Sequence, residues 1–291
     1  MPKVSIVTDS CVSLSDEMLD KLDIHWVPYY IHRGKEVLRD LITIKREDFY
    51  KWLPTAKKLP KTANPGPGDY IEMYTKLAKE GTKEIISIHI TSKGSGAYQA
   101  AVAAKNIVLK KIPDLKIEVI DTLNVSLCQG WMVIEAARDA LTDKPFEAIV
   151  DNVRAMIPIT EMLQTADTLK YLEMGGRIGK AKRLIGSLLN IKPLISMKDG
   201  VIVAVGQTRT RRRVYEMMID KVEDTVGYMR KIKIAYVHAA AREEAEKLKG
   251  MAEERLNCVE SLIAELSPVL GVHTGPGTVG LCYFPITDRF R

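Results

Sequence analysis

The chain has 291 residues, 46% hydrophobic and 27% charged, the balance of a globular protein with one large domain or two smaller ones. Its net charge of +6 suits anionic partners, but aromatics are only 6% and Arg209, Arg211, Arg212 and Arg213 form the one dense basic run, so a nucleic-acid interface is not expected. Four cysteines without a C-x-x-C pair and five scattered histidines without an H-E-x-x-H motif exclude a zinc ribbon and a thioredoxin site, and no catalytic metal is expected.

Met1-Pro2-Lys3-Val4 runs straight into a strand-like segment and lacks the zones of a signal peptide. No apolar run is long enough to span a bilayer, so a cytoplasmic protein is expected. Residues 4–7 read as a buried strand ending in Thr8-Asp9-Ser10, residues 14–22 as a helix and 26–31 as a strand. A helix is predicted over 47–52, a Pro/Gly-rich loop over 60–68 and a helix over 69–79. The β-branched run 84–90 predicts a strand, followed by a helix over 98–109, a strand over 117–120 and a helix over 128–141. Strands alternating with helices predict a parallel sheet with helices on its faces.

The second half has a different rhythm. A strand over 161–166, a short helix over 168–174 and a helix over 181–189 precede two strands, 193–197 and 201–208, around Asp199-Gly200. Asp-Gly between two strand-like runs predicts a hairpin. A helix over 214–230, a strand over 232–238, a helix over 242–255 and strands over 259–266 and 278–284 complete a mixed α+β pattern. We place a domain boundary near Ala155, with an N-terminal α/β domain over 1–155, a C-terminal α+β domain over 156–286 and a tail over 287–291.

Several motifs fail on inspection. Gly275-Pro276-Gly277-Thr278-Val279-Gly280 fits G-x-G-x-x-G, but a strand follows it where a dinucleotide site needs a helix. Gly176-Arg177-Ile178-Gly179-Lys180-Ala181 has the wrong spacing for a phosphate loop and no hydroxyl after the lysine. Ser95 lacks the flanking glycines of a nucleophile elbow, since Lys93 and Ala97 stand there. What remains is a set of hydroxyls where strands end: Thr8 and Ser10, Thr62 in a loop stiffened by Pro65 and Pro67, Ser95 in the loop 91–96, and Thr122. Ligands of open α/β sheets bind beyond such strand ends, and glycine-rich turns into helices favour anions, although each hydroxyl alone also suits a cap or turn.

Thr8-Asp9-Ser10, the Thr62 loop, Ser95-Gly96-Ala97-Tyr98-Gln99, Asp121-Thr122, Leu169-Lys170-Tyr171-Leu172, Gly175-Gly176-Arg177-Ile178, Lys192-Pro193 and His273-Thr274-Gly275-Pro276-Gly277 occur here in one order. In that order the chain resembles the DegV family of bacterial fatty-acid-binding proteins, from Val4 to Ile286. The resemblance implies a two-domain α/β fold, a parallel-sheet N-terminal domain and a mixed α+β C-terminal domain, with the lipid between them. It implies a long-chain fatty acid such as palmitate as ligand and no other cofactor, with its carboxylate held by Thr62, Ser95 and the Gly96 N–H. Ser10, Arg177, Arg209 and His273 would lie near the head group or a phosphate. It further implies an acyl-carrying subunit that presents its ligand to a separate ATP-dependent fatty acid kinase and leaves room for transient membrane contact. Two positions depart from the family pattern: Ala63-Asn64 follow Thr62 where Ser-Gln is usual, and Ala97 replaces a threonine. With no phosphate loop or metal cluster, the expectation is a binding protein without catalysis of its own. The rivals are a serine acyltransferase or lipase using Ser95, or Cys11, with His273 as base, and a regulatory protein with structural lipid.

Overall fold

The structure, a computed structural model, describes residues 3–184, 191–227 and 229–290. Strand β1 (Val4–Asp9) leads through a short 3-10 turn to helix α1 (Asp16–Lys21) and β2 (Ile24–Val27). Strands β3 (Tyr30–Arg33) and β4 (Glu36–Arg39), helix α2 (Arg46–Trp52) and the short β5 (Lys61–Ala63) follow. Then come α3 (Pro67–Lys79), β6 (Glu84–His89), α4 (Ala97–Lys111) and β7 (Lys116–Asp121). A four-stranded sheet has the order β2-β1-β6-β7 with every neighbour parallel, while β4-β3-β5 is a separate antiparallel sheet. All of β1 and nearly all of β6 are buried, which explains their near-continuous apolar runs.

Helices α5 (Leu127–Leu141) and α6 (Phe146–Met156) lead into the second half. There β8 (Glu161–Thr165), α7 (Lys170–Met174), β9 (Lys192–Lys198) and β10 (Val201–Thr208) come first. They are followed by α8 (Arg211–Val226), β11 (Ile232–His238), α9 (Arg242–Glu253), β12 (Cys258–Glu265), α10 (Pro268–Thr274) and β13 (Val279–Pro285). The strands form one mixed sheet, β10-β9-β8-β13-β11-β12, antiparallel except between β11 and β12.

Helix α5 joins the two sheets. From Leu127 to Ile134 every residue is buried, so it has no solvent face along its first two turns. Trp131, wholly buried, donates its indole N–H to Cys282 O on β13 at 3.2 Å and meets the Phe284 ring edge-on at 5.7 Å. On the other side Gln129 donates to Thr8 Oγ1 on β1 at 2.9 Å. One hydrophobic cluster therefore runs from Val4, Ile6 and Ile86 through α5 to Val237, Cys282 and Phe284.

The parallel first sheet, the mixed second sheet and the Asp199-Gly200 hairpin agree with the sequence reading. Four details differ. The run 26–31 is two strands in different sheets, because Pro28 supplies no N–H and ends the pairing at Val27. Strand β4 and helices α6 and α10 carried no prediction. The predicted helix 181–189 lies largely outside the described residues, and Gly179–Leu184 forms a 3-10 turn. The helix predicted over 214–230 starts earlier, capped by Thr210 Oγ1 accepting from Arg213 N–H at 3.2 Å, and stops at Val226 before Gly227 with its positive φ.

Candidate functional site

A cavity of about 370 Å³ lies beyond the carboxyl ends of the parallel strands, against the pleated face of β8 and β9. One part of its wall is apolar, with Ile90, Met162, Ile195, Met197, Val269 and Leu270. Another is polar, and there Thr62, Ser95, Arg177 and His273 come together from four separate segments.

Each is placed by local structure. Thr62 sits on β5, in register with Ile31 of β3. Ser95 stands in the loop between β6 and α4, whose N-cap is Gly96. Its Oγ accepts the Ala97 N–H at 3.3 Å and lies 2.5 Å from the Tyr29 hydroxyl. His273 occupies the last turn of α10, with Nε2 2.8 Å from Thr62 Oγ1. Burial, then the Arg177 charge, lowers its pKa to about 4, so the ring is neutral near pH 7. Arg177 is exposed, and its guanidinium donates to Gly94 O at 3.3 Å and Gly175 O at 2.8 Å.

The contacts of His273 assign its proton. His273 Nδ1 is buried without a partner, pressed against Gly175 so closely that a Cβ there would lie 2.2 Å away. An unpaired N–H in that position is costly, so the proton belongs on Nε2, donated to Thr62 Oγ1. Ser95 Oγ accepts the Ala97 N–H and shares a hydrogen bond with the Tyr29 hydroxyl, in which either oxygen can be the donor. Thr62 is left with one O–H to give, and the Ser95 hydroxyl lines the same polar wall, an arrangement suited to an oxyanion.

The remaining predicted residues are placed elsewhere. Gly96 does not line the cavity, and its Cα is covered by Asn64, whose Oδ1 would lie 3.0 Å from an added Cβ. Ser10 is turned into the core, where its Oγ accepts the Tyr29 N–H at 3.1 Å, so it supports the site from beneath rather than lining it. Arg209 is exposed at the end of β10 and does not line the cavity either. Its near neighbour Arg211 is the anchored one, held by Asp167 at 2.9 Å and Gly277 O at 2.6 Å.

Sequence reasoning missed Tyr29, Asn64, Thr91 and the turn at Gly200, all of which line the cavity. Thr91 donates to Gly200 O at 3.0 Å, tying the hairpin tip to the loop that carries Ser95. Gly200 has φ +79° and a Cβ would meet Thr91 Oγ1 at 2.5 Å, so the Asp-Gly turn is also a fitted part of the wall. The available signal was that turn, which was read only as a hairpin.

Among the described residues no hydrogen bond joins Ser95 or Cys11 to a histidine. Ser95 bonds to Tyr29 and His273 bonds to Thr62. Cys11 is buried, and burial, with the nearby Asp9 charge, raises its pKa well above the usual thiol value. Asp9, His89 and Ser87 do form a chain of hydrogen bonds at 2.9 and 2.7 Å, but all three are wholly buried and none lines the cavity. Among the described residues no cluster of metal-ligating side chains occurs, and no helix is long and apolar enough to cross a membrane.

Residues 3–286 match the model of the DegV family. A DegV domain-containing protein of Halalkalibacterium halodurans is 32% identical over 286 residues, covering 98% of this chain and 99% of that one. Another, from Clostridium perfringens, is 32% identical over 281 residues, 96% of this chain and 98% of its own. Among solved structures, a fatty-acid-binding DegV family protein from Thermus thermophilus matches with a TM-score of 0.90 at 27% identity, covering 98% of this chain and all of that one. A stearic-acid-binding protein from Eubacterium ventriosum matches with a TM-score of 0.87 at 28% identity, with 98% of each chain covered. The match thus takes in both sheets, helix α5 between them and the cavity, and this chain belongs to the DegV family.

Proposed function

We propose that this protein binds one long-chain fatty acid, with the carboxylate held by Thr62 and Ser95 and the acyl chain lying along the apolar wall. The observation that carries this reading is the pair of hydroxyls, Thr62 and Ser95, at the polar end of a cavity whose other wall is apolar. The fatty-acid-binding relatives from Thermus thermophilus and Eubacterium ventriosum support it. Each buried methylene contributes about 0.8 kcal/mol, so the chain supplies affinity while the hydroxyls supply orientation. Arg177 and His273 flank the head group in this reading, while Gly96, which does not line the cavity, is left out of it.

In this proposal the protein has no catalysis of its own. It presents the acid to a separate ATP-dependent kinase, which forms the acyl phosphate, a reaction that needs a metal-bound nucleotide. The exposed Arg177 guanidinium at the mouth suits a developing phosphate. Arg209, farther along the surface, would serve only the docked kinase.

Mass spectrometry of an organic extract of the purified protein, with titration of the delipidated protein, tests the binding. About one fatty acid per chain, of the palmitate or stearate class, is expected. An extract without stoichiometric lipid, together with no binding in titration, would overturn it. Acyl phosphate formed from protein, fatty acid and Mg-ATP with no kinase added would overturn the division of labour.

A further inference from the structure

Beside the apolar wall stands a side chain that does not suit a plain hydrocarbon. Gln164 is the penultimate residue of β8, is only 4% exposed and lines the cavity. Strand geometry sets its direction. Met162, two residues earlier, shares its face and also lines the cavity, whereas Leu163 points into the cluster under α8 and α9. Across the ladder Gln164 pairs with Ile195 on one side and with Gly280 on the other. Ile195 lines the same wall. Gly280 places no side chain beside Gln164, where an added Cβ would come within 3.0 Å of the Gln164 Cβ.

No hydrogen bond joins the Gln164 side-chain amide to another described residue. Ser126, 2% exposed and part of the same lining, also has a hydroxyl without a partner. A buried amide beside methionines and isoleucine, carrying two donors and an acceptor, is held at a cost unless something in the cavity meets it. A saturated chain cannot.

We infer that the acyl cavity has a second polar subsite at Gln164, and that it selects fatty acids carrying a hydroxyl within the chain. A hydroxyl both donates and accepts, and so matches an amide that offers both functions. This inference rests on the fatty-acid reading above and narrows its ligand class.

Binding of stearic acid and of a positional series of hydroxystearic acids, measured by displacement of a fluorescent fatty acid, tests it on the wild type and on Gln164→Leu. All isomers pay the same price for desolvating one hydroxyl, so differences among them report where that hydroxyl finds a partner. The expected result is one or two adjacent mid-chain isomers bound about ten-fold or more tightly than the rest. Gln164→Leu should flatten the series while stearate binding is kept or improved. A flat wild-type series, or a preference that survives in Gln164→Leu, overturns the inference while leaving the fatty-acid reading intact. Failure of stearate and of every isomer to displace the probe would instead defeat that reading. If Gln164→Leu does not fold, the wild-type series and the similarly long Gln164→Met decide the question.

Discussion

The Tyr29 hydroxyl lies 2.5 Å from the Ser95 Oγ, linking the segment between β2 and β3 to the loop before α4. Burial raises the Tyr29 pKa well above the usual phenol value, so Tyr29 stays protonated and can donate. Tyr29→Phe removes that donor without changing the ring. Ser95 is then free to turn its own proton elsewhere, and affinity for a free fatty acid should fall by about five-fold, the worth of one neutral hydrogen bond of about 1 kcal/mol. Unchanged affinity in titration would mean that Ser95 is not oriented by Tyr29.

Thr62→Ala and Ser95→Ala should each weaken binding of a free acid by about ten-fold or more, because a hydrogen bond to a charged group is worth roughly 1.5–3 kcal/mol. An acyl methyl ester, lacking the anionic oxygen, should be affected much less. Ser95 also accepts from Ala97 N–H, so its loss has a structural cost of about 1 kcal/mol. Melting temperatures on the same variants separate the effects, and a stability loss without an acid-specific affinity loss would end the carboxylate assignment.

Gly175→Ala would place a methyl 2.2 Å from His273 Nδ1. The ring must move away from Thr62, at a cost of about 1–3 kcal/mol in stability and with loss of fatty-acid affinity. Gly250→Ala in α9 is the contrast, because nothing lies within 4 Å of its added Cβ. It should gain about 0.5–1 kcal/mol and bind normally. Thermal melts and titrations of the pair check both halves of the statement.

Asp40 is wholly buried, with Oδ1 accepting the Val269 N–H at the start of α10 and Oδ2 without a partner. Burial raises its pKa from 3.8 to about 7, against the pull of the Ser10 hydroxyl, the Val269 N–H and Arg46. The folded value is therefore above the unfolded one, and the protonated form favours folding. That contribution is complete below pH about 4 and is lost as pH rises through about 7, on the order of a few kcal/mol in all. Asp40→Asn keeps the acceptor and cannot ionise, so its advantage in Tm over the wild type should grow from pH about 4 to about 8. A constant difference across that range would show that Asp40 does not titrate there.

Much of the site was legible because hydroxyls in glycine-rich or proline-stiffened segments stand out from their surroundings. Thr62 and Ser95 stand out in this way, His273 and Arg177 were named only through the family resemblance, and all four line the cavity. Ser10 carries the same signal, yet its hydroxyl is taken by the Tyr29 N–H, and nothing in the order of residues tells a hydroxyl facing a ligand from one facing the core. Tyr29 was hidden for a related reason. It sits within an apolar stretch that reads as one strand, and only the break at Pro28 brings its hydroxyl to Ser95. Helix α10 was unread because Pro268 opens it and Gly271 interrupts it, which reads locally as a turn. Gly271 is needed because Tyr50 and Phe49 of α2 press on it, a long-range contact with no local trace. The sheets were easier, since alternation of strand and helix in one half and the Asp-Gly hairpin in the other are local patterns.

Helix α5 belongs by sequence to the half of the chain that makes the parallel sheet, yet it shares its core with β13 as well. Neither half, made alone, would have a finished exterior. The first would leave the Trp131 side of α5 in water, and the second would bare Cys282 and Phe284. Cutting the gene between the sheets should therefore yield two aggregating fragments that regain solubility only when expressed together, much as two subunits of an obligate dimer depend on each other.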